Sequence, residues 1–169
     1  VIDDCHAQGD VLIGADKISA IGAFAGLVNG KAKITNSGAV ADITIGEGFT
    51  AEKTANFIGS VTAEDVTVSS CYVGGANPAG DSVLIADKPE KIRIENIVTS
   101  WSFDGGNVGF FTGNGGKFTA TLPAVKAFTS SASDYEVICD ETKIVASVSV
   151  ANGKLTLSIE RAEGVVTLK

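Results

Sequence analysis

The chain has 169 residues, of which 44% are hydrophobic, with 20 glycines and only three prolines. This composition disfavours disorder and favours β-structure with many turns. The formal net charge of −7 repels phosphate backbones, so nucleic-acid binding is disfavoured. The longest apolar runs are short and broken by glycine or charge, which predicts no insertion into a membrane.

A short pattern recurs along the first hundred residues. It consists of a β-branched residue, a polar residue, a turn-prone polar residue and a small or apolar residue. The four copies begin at Ile2, Ile34, Val68 and Ile94. A second, apolar element begins at Phe24, Phe57 and Leu84. Each of these residues precedes the last residue of the following bend by 13 or 14 positions. Residues 110–113 fit this second element more loosely, as a fourth copy.

The spacing of roughly 26 to 34 residues and the short alternating apolar runs favour one coil of a β-helix per unit. We therefore predict an all-β chain with a parallel β-helix, or solenoid, of about four irregular coils over residues 1–116. Residues 46–55 and 74–80, which are rich in small and polar residues, are predicted to be loops inserted between strands. Loops of a solenoid project from one face, where binding usually lies.

The repeat resembles the GLUG motif of bacterial cell-surface proteins over about residues 1–113. The matching segments are 25–30 with 34–38, AGLVNG and ITNSG, then 5–11, CHAQGDV, and 68–75, VSSCYVGG. The chain departs from the family pattern at Asn29, where the family has a second glycine, and the copies after residue 80 lack the cysteine. The resemblance implies a β-solenoid stalk or adhesin segment, and it implies no catalytic residues.

The pattern changes in residues 117–169, which we predict to form an antiparallel β-meander. Two alternating segments flank Asn152-Gly153, a strong signal for a tight hairpin, and a third segment follows at residues 165–168. This meander is expected to cap the solenoid or to form a small β domain on its last coil. The alternative is an incomplete immunoglobulin-like sandwich.

Aromatic residues cluster late in the repeat region. An exposed row of aromatic side chains can stack on sugars or anchor a partner, whereas a buried row would fill the junction with the C-terminal segment. The speculative ligand-binding residues are Trp101, Phe103, Phe110 and Phe111.

The bends carry the other candidate residues. Cys5 and Cys71 occupy equivalent bends two coils apart, too far for a disulfide, and are predicted to be free, buried thiols in an inward ladder. A second column precedes that position and is predicted to be structural, because its residue types tolerate tight bends. Its members are Asp4, Asn36, Ser70 and Asn96.

Two further observations bear on chemistry. Asp10 and Asp42 precede matching strands, and neighbouring carboxylates can bind Ca²⁺ or act as an acid and base, but solvated turn residues are the simpler interpretation. His6 is the sole histidine and has no partner motif, so it is a weak catalytic candidate. We predict no catalytic residue, no metal and no cofactor.

These observations favour a non-catalytic structural or adhesive module of a larger bacterial surface protein, located outside the cell. The alternatives are a carbohydrate-binding module and a β-helix enzyme acting on polysaccharides. Expected partners are host or cell-wall glycans or surface proteins. Since the chain lacks methionine and opens on a repeat, further repeats of the parent chain are expected at its N-terminal end, or pairing of that end with another chain.

Overall fold

A computed structural model describes residues 1–79, 83–99, 109–114, 117–123, 136–139, 142–143, 147–152, 154–160 and 163–168. Within these ranges the regular secondary structure consists of β-strands, and no helix is present. Five of the seven sheets are parallel and two are antiparallel. The prediction of an all-β chain is therefore confirmed for the described residues.

The parallel sheets are built from residues 1–99, which pass through them in four successive layers. Layer 1 (residues 1–30) contains β1 (Ile2–Asp3), β2 (His6–Gln8), β3 (Val11–Ile13), β4 (Ile21–Gly22) and β5 (Ala25–Val28). Layer 2 (residues 31–63) contains β6 (Ala32–Thr35), β7 (Gly38–Val40), β8 (Ile43–Ile45), β9 (Thr54–Ala55) and β10 (Ile58–Val61). Layer 3 (residues 64–79 and 83–90) contains β11 (Val66–Ser69), β12 (Tyr72–Gly74) and β13 (Ile85–Asp87), and layer 4 (residues 91–99) contains β14 (Arg93–Glu95).

The strands of each layer pair with those of the next in the register that the repeats predict. Ile2 pairs with Ile34, Ile34 with Val68, and Val68 with Ile94, so the layers are offset by 32, 34 and 26 residues. The second element aligns in the same way, because Ile58 pairs with both Ala25 and Ile85. Equivalent residues of successive layers therefore form columns that run across the sheets.

The column of turn-prone residues has one backbone conformation in all four layers. Asp4, Asn36, Ser70 and Asn96 have φ values of 56°, 50°, 54° and 54°, in the left-handed region. Asp and Asn visit this region more readily than other non-glycine residues, since their short side chains bond the local backbone. The backbone amide of each of the first three donates to a carbonyl oxygen of the next layer, at 3.1 to 3.3 Å. The prediction that these residues lie at tight bends is confirmed.

Apolar columns between the sheets form the core. Ile34, Val68 and Ile58 are fully buried, and they belong to one cluster with Ala39, Val73 and Phe57. The Phe24 ring stacks on the Phe57 ring with centroids 4.5 Å apart, so the aligned aromatic residues of layers 1 and 2 meet. Burying each large side chain contributes roughly 1.5 to 3 kcal/mol, and it does so only when two layers are stacked.

The layers differ mainly in what lies between their shared columns. The predicted loop at residues 46–55 is only partly irregular, because Ala51 bridges Ile18 and Thr54–Ala55 form β9, which pairs with β4. In the described part of layer 3, no strand corresponds to β3 and β8 or to β4 and β9. Residues 75–79 contain a turn instead. In this turn the Asn56 side chain, itself buried, donates to the Gly75 carbonyl at 2.8 Å.

In the described parts of residues 109–168, seven antiparallel strands follow. They are β15 (Gly109–Asn114), β16 (Phe118–Pro123), β17 (Val137–Cys139), β18 (Thr142–Lys143), β19 (Ser147–Ala151), β20 (Lys154–Ile159) and β21 (Glu163–Leu168). One sheet has the order β15-β21-β17-β18 and the other β16-β20-β19. The predicted hairpin is present, with Ala151 paired to Lys154 and Asn152 at φ 51°. One face of β20 is buried at Leu155, Leu157 and Ile159, as the alternation predicts.

Two expectations for this region are wrong. The third predicted strand, at residues 165–168, lies in β21 and pairs with β15 and β17, so β19, β20 and β21 do not form a meander. Residues 110–113 lie in β15, which is antiparallel, and are not a further copy of the parallel element. The alternation of apolar and polar residues predicts which face of a strand is buried. It does not predict which strand will pair with it.

The thiol column also departs from the prediction at its first member. Cys71 is buried and free as predicted, whereas Cys5 is free but exposed. Each thiol donates to the carbonyl oxygen two residues earlier, at 3.4 Å for Cys5 and 3.3 Å for Cys71. The Ser37 hydroxyl between them does the same at 2.7 Å, so the column has one local geometry. Cys5 is exposed because it belongs to layer 1, which among the described residues has a neighbouring layer on one side only.

Alkylation of the native protein should therefore distinguish the two thiols. We expect Cys5 to react with iodoacetamide near neutral pH, while Cys71 stays protected until the protein unfolds. Burial shields Cys71 and raises the pKa of its thiol to about 11, which leaves little thiolate to react. Peptide mapping by mass spectrometry separates both from Cys139. Equal reaction rates for Cys5 and Cys71 would contradict the assigned register.

Candidate functional site

The densest described group of interacting polar side chains lies beside the first bend and contains Asp4, His6, Tyr72 and Lys154. The parallel register places His6, Gly38 and Tyr72 in one column, at the start of β2, β7 and β12. Asp4 is the left-handed bend residue two positions before His6. Lys154 is the first residue of β20, next to the hairpin turn.

Gly38 allows Tyr72 to reach across one layer to His6. A Cβ atom on Gly38 would lie 2.4 Å from the Tyr72 ring and from the Tyr72 carbonyl oxygen. The ring therefore occupies the space that a side chain at residue 38 would take. The Tyr72 hydroxyl lies 3.0 Å from His6 Nδ1, and the two rings stack with centroids 5.7 Å apart.

His6 connects this buried hydroxyl to an exposed carboxylate. Its Nε2 lies 3.0 Å from Asp4 Oδ1, and the other carboxylate oxygen of Asp4 accepts from the Lys154 ammonium. A neutral imidazole has one donor and one acceptor. The arrangement that satisfies every group has His6 Nε2–H donating to Asp4 and the Tyr72 hydroxyl donating to Nδ1.

Asp4 and Tyr72 form the two ends of the group, and both have shifted pKa values. The Lys154 ammonium and then the His6 ring hold the pKa of the Asp4 carboxyl below its ordinary value of 3.8. Burial raises the pKa of the Tyr72 hydroxyl, so that it stays protonated. Lys154 is 150 residues away from Asp4, so their ion pair links the antiparallel sheets to layer 1.

A carboxylate, an imidazole and a hydroxyl in a row resemble the order of groups that activates a nucleophile. Here the hydroxyl belongs to a tyrosine with no exposed surface, and its raised pKa opposes ionisation. A substrate would have to displace the packing around this ring before reaching the oxygen. The geometry instead suits a structural tie among layer 1, layer 3 and β20.

The residues proposed from the sequence for ligand binding are Trp101, Phe103, Phe110 and Phe111. Trp101 and Phe103 lie outside the described residues. Phe110 and Phe111 lie in β15, where their backbone pairs with Thr167 and Val166 of β21. Their assignment to ligand binding remains a prediction.

Of the two aspartates at matching positions, Asp10 and Asp42, Asp42 has a local structural role. Val11 pairs with Ile43, so Asp10 and Asp42 occupy equivalent positions in adjacent layers. Asp42 is exposed, and its carboxylate accepts from the Ala76 backbone amide at 2.7 Å, which fastens the turn of layer 3. In the part of the chain that the structure describes, no three His, Cys, Asp or Glu side chains are grouped as a metal site would require.

A shallow groove lies between the insertions of layers 1 and 2. It has a volume of about 380 Å³ and is lined by Asp16, Lys17, Ile18, Ser19, Thr50 and Glu52. Lys17 has a φ of 63°, which turns the chain at the rim. The lining mixes both charges with hydroxyls and contains no aromatic ring, so it offers no preference for one ligand class.

The group around His6 could have been found from the sequence. Cys5-His6 and Cys71-Tyr72 occupy the same place in two copies of the repeat, with Ser37-Gly38 between them. This alignment already places His6, Gly38 and Tyr72 in one column. The contribution of Lys154 has no signal in the sequence, since it depends on how a distant hairpin approaches the bend.

Comparisons with protein-family models, with curated proteins and with solved structures give no match to this chain. The GLUG resemblance therefore remains a prediction that rests on the repeat residues themselves. Among the described residues, no helix has the length and apolar character needed to cross a membrane.

Replacing Gly38 by alanine should destabilise the protein by about 1 to 3 kcal/mol, because the new methyl group collides with the Tyr72 ring and backbone. Thermal or denaturant unfolding of the two proteins measures the difference. Gly14→Ala is the matched control, since a Cβ there meets no atom within 4 Å. Equal stabilities of the Gly38 and Gly14 variants would contradict the packing of Tyr72 over residue 38.

Removing the ammonium of Lys154 should raise the pKa of Asp4. In Lys154→Ala the main cause of the lowered pKa is gone and the weaker effect of His6 remains, so the carboxyl should titrate closer to 3.8. A lowered folded pKa means that this carboxylate stabilises the fold above pH 3.8, and that this contribution disappears as the pH falls through the folded value. NMR titration of the Asp4 carboxyl measures the change.

Lys31→Ala serves as the control for that titration, because Lys31 pairs with Asp65 at 2.7 Å and not with Asp4. An Asp4 pKa that is the same in the Lys154 variant and in the unmodified protein would show that the Lys154–Asp4 ion pair does not form in solution.

Proposed function

We propose that the chain is a non-catalytic structural and adhesive module of a bacterial cell-surface protein, built as a parallel β-helix with a small C-terminal β domain. The single observation that carries the proposal is the continuous register from layer 1 to layer 4. Ile2, Ile34, Val68 and Ile94 pair in one column, with a bend residue of the same conformation two positions after each of them.

A β-helix suits a module that holds other groups in place. Each layer is bonded to its neighbours along the stacking axis, so the unit is rigid without needing a large globular core. The insertions at residues 46–53 and 75–79 leave the register of the columns unchanged. These features favour a spacer that presents loops, as the GLUG resemblance implies.

The C-terminal strands favour a small β domain over a cap. The strands described in this part of the chain number seven, in sheets of four and three, which is the strand number of a simple immunoglobulin-like sandwich. The ion pair between Lys154 and Asp4 joins these strands to layer 1, whereas a cap on the last coil would meet layer 4. We infer a compact domain that lies beside the β-helix.

The described polar groups support a structural role over catalysis. Asp3 accepts from Thr35 and Asn36 of the next layer, and Asp87 accepts from Lys53 at 2.5 Å and from Ser60. These contacts, like those of His6, tie layers together. The net charge of −7 is compatible with a location outside the cell.

A carbohydrate-binding module is the second candidate, because Trp101, Phe103, Phe110 and Phe111 lie within eleven residues of one another. Aromatic rings that lie in a row at a surface stack on sugar faces. The two candidates differ in whether these rings contact a ligand or pack inside the protein.

A glycan-array and matrix-protein screen of the purified chain tests the proposal. The double variant Trp101→Ala, Phe103→Ala is screened alongside, with Leu12→Ala as a control for the loss of an exposed apolar side chain. A structural spacer should give no selective glycan binding, and any matrix-protein binding should be equal in all three proteins.

Selective glycan binding that the Trp101 and Phe103 variant loses, and the Leu12 variant keeps, would replace the proposal with the carbohydrate-binding alternative. Circular dichroism of the three proteins ensures that a lost signal reports a missing contact and not an unfolded chain.

A further inference from the structure

Three asparagines in the sequence are followed directly by glycine, and they are Asn29, Asn114 and Asn152. Glycine has no side chain to shield its amide nitrogen, so that nitrogen can attack the side-chain amide of the preceding asparagine. The attack needs a glycine amide without a hydrogen-bond partner and a backbone that can rotate until the nitrogen reaches Cγ of the asparagine. The structure separates the three asparagines by this requirement.

Two of the three asparagines are held by paired strands. Asn114 is the last residue of β15, where it pairs with Glu163. Asn152 follows Ala151, which pairs with Lys154, and its φ of 51° belongs to the tight hairpin turn. Rotation of the backbone at either asparagine would disturb the strand pairing next to it.

Asn29 lies at a corner between strands. It follows the end of β5 and precedes β6, which begins at Ala32. Within the described residues, no carbonyl oxygen accepts from the Gly30 amide. A Cβ atom at Gly30 would meet no atom within 4 Å, and the φ of this residue is 117°, which glycine adopts readily. The surroundings of Gly30 are therefore open, and no backbone hydrogen bond has to break before its amide reacts.

The same corner is exposed in an inner layer. Val28 pairs with Val61, so Thr62 is the residue of layer 2 that corresponds to Asn29. Thr62 is exposed although β10, which it follows, has a paired strand on each side. A neighbouring layer on both sides therefore leaves this column open to water.

Thr62 also contacts the group that reacts. Its hydroxyl donates to Asn29 Oδ1 at 3.0 Å. When the Gly30 nitrogen adds to Cγ, negative charge develops on Oδ1, and a hydrogen bond to a charged oxygen is stronger than one to a neutral oxygen. The Thr62 hydroxyl therefore stabilises the intermediate more than the starting amide, which lowers the barrier.

We propose that Asn29 is a site of spontaneous deamidation, with Gly30 as the nucleophile and the Thr62 hydroxyl as the stabilising donor. The Gly30 nitrogen bonds to Cγ and the bond from Cγ to Nδ2 breaks. The proton that Gly30 loses leaves with Nδ2 as ammonia, and a cyclic imide remains. Water then opens the imide at either carbonyl, which gives aspartate or isoaspartate. Since water is the sole co-reactant, the extent of conversion records how long the folded chain has been in solution.

Both products change the connection between layers 1 and 2. Aspartate still accepts from Thr62 and adds a negative charge to a chain whose net charge is −7. Isoaspartate places the side-chain methylene in the main chain between β5 and β6, which lengthens the link from one layer to the next. The reaction requires only the contact between these two layers, whatever the module binds.

Incubation of the purified full chain at mildly alkaline pH, followed by peptide mapping by mass spectrometry, tests the proposal. In the folded protein Asn29 should convert about fivefold or more faster than Asn114 and Asn152, because the paired sites must first open locally. In denaturant the three sites should convert at similar rates, since they share one dipeptide. A folded protein in which Asn114 or Asn152 converts as fast as Asn29 would overturn the proposed site.

Two variants test the hydroxyl. Thr62→Val keeps the branched shape but removes the donor, and it should slow conversion of Asn29 by roughly three- to tenfold, the effect of one hydrogen bond. Thr62→Ser is the matched control, because it keeps the donor and should retain the rate. Conversion of Asn152 should be the same in both variants and in the unmodified protein.

A purely structural role of Thr62 predicts the opposite result. Loosening of the corner in Thr62→Val would then make Asn29 convert faster, and an unchanged or faster rate would overturn the role of the hydroxyl. Circular dichroism of both variants ensures that folded proteins are compared.

Discussion

The parallel part of the structure depends on one constraint, which is that successive layers must turn at the same place. If one layer turned a residue earlier, its inward side chains would point outward and its hydrogen bonds would miss their partners. Asp4, Asn36, Ser70 and Asn96 meet this constraint with one left-handed conformation each. The residue after the bend, Cys5, Ser37 or Cys71, reinforces the turn by donating to the carbonyl two residues earlier.

Because the constraint is local, the chain between bends is free to vary. Layers 1 and 2 each have five strands, and layer 3 keeps only three described ones, yet the columns at Ile34, Val68 and Ile94 stay in register. The shorter layer is closed by side chains that bond backbone groups, with Asn56 on the Gly75 carbonyl and Asp42 on the Ala76 amide. The buried side-chain amide of Asn56 is satisfied in this way, and the exposed Ala76 amide is fastened by Asp42 where the strand pairs are missing.

The bends, the columns and the Asn152 hairpin could be predicted from the sequence, because each depends on one residue type at a fixed spacing. The exposure of Cys5 could not, since burial of a column residue depends on a neighbouring layer and not on the residue itself. The partner strands of β21 were missed because alternation describes faces and not neighbours. Of the group around His6, the column was readable from the repeat, but the reach of Tyr72 over Gly38 and the approach of Lys154 required the three-dimensional structure.

The pairing of a large ring with an empty position has a consequence for how similar layers find their order. Repeats that resemble one another can pair one layer out of register, and backbone hydrogen bonds alone would not prevent this. Tyr72 fits over residue 38 because that residue is glycine, and it ends against an imidazole that only residue 6 supplies. The column of His6, Gly38 and Tyr72 therefore fits only one order of the layers, with His6 in layer 1 and Tyr72 in layer 3.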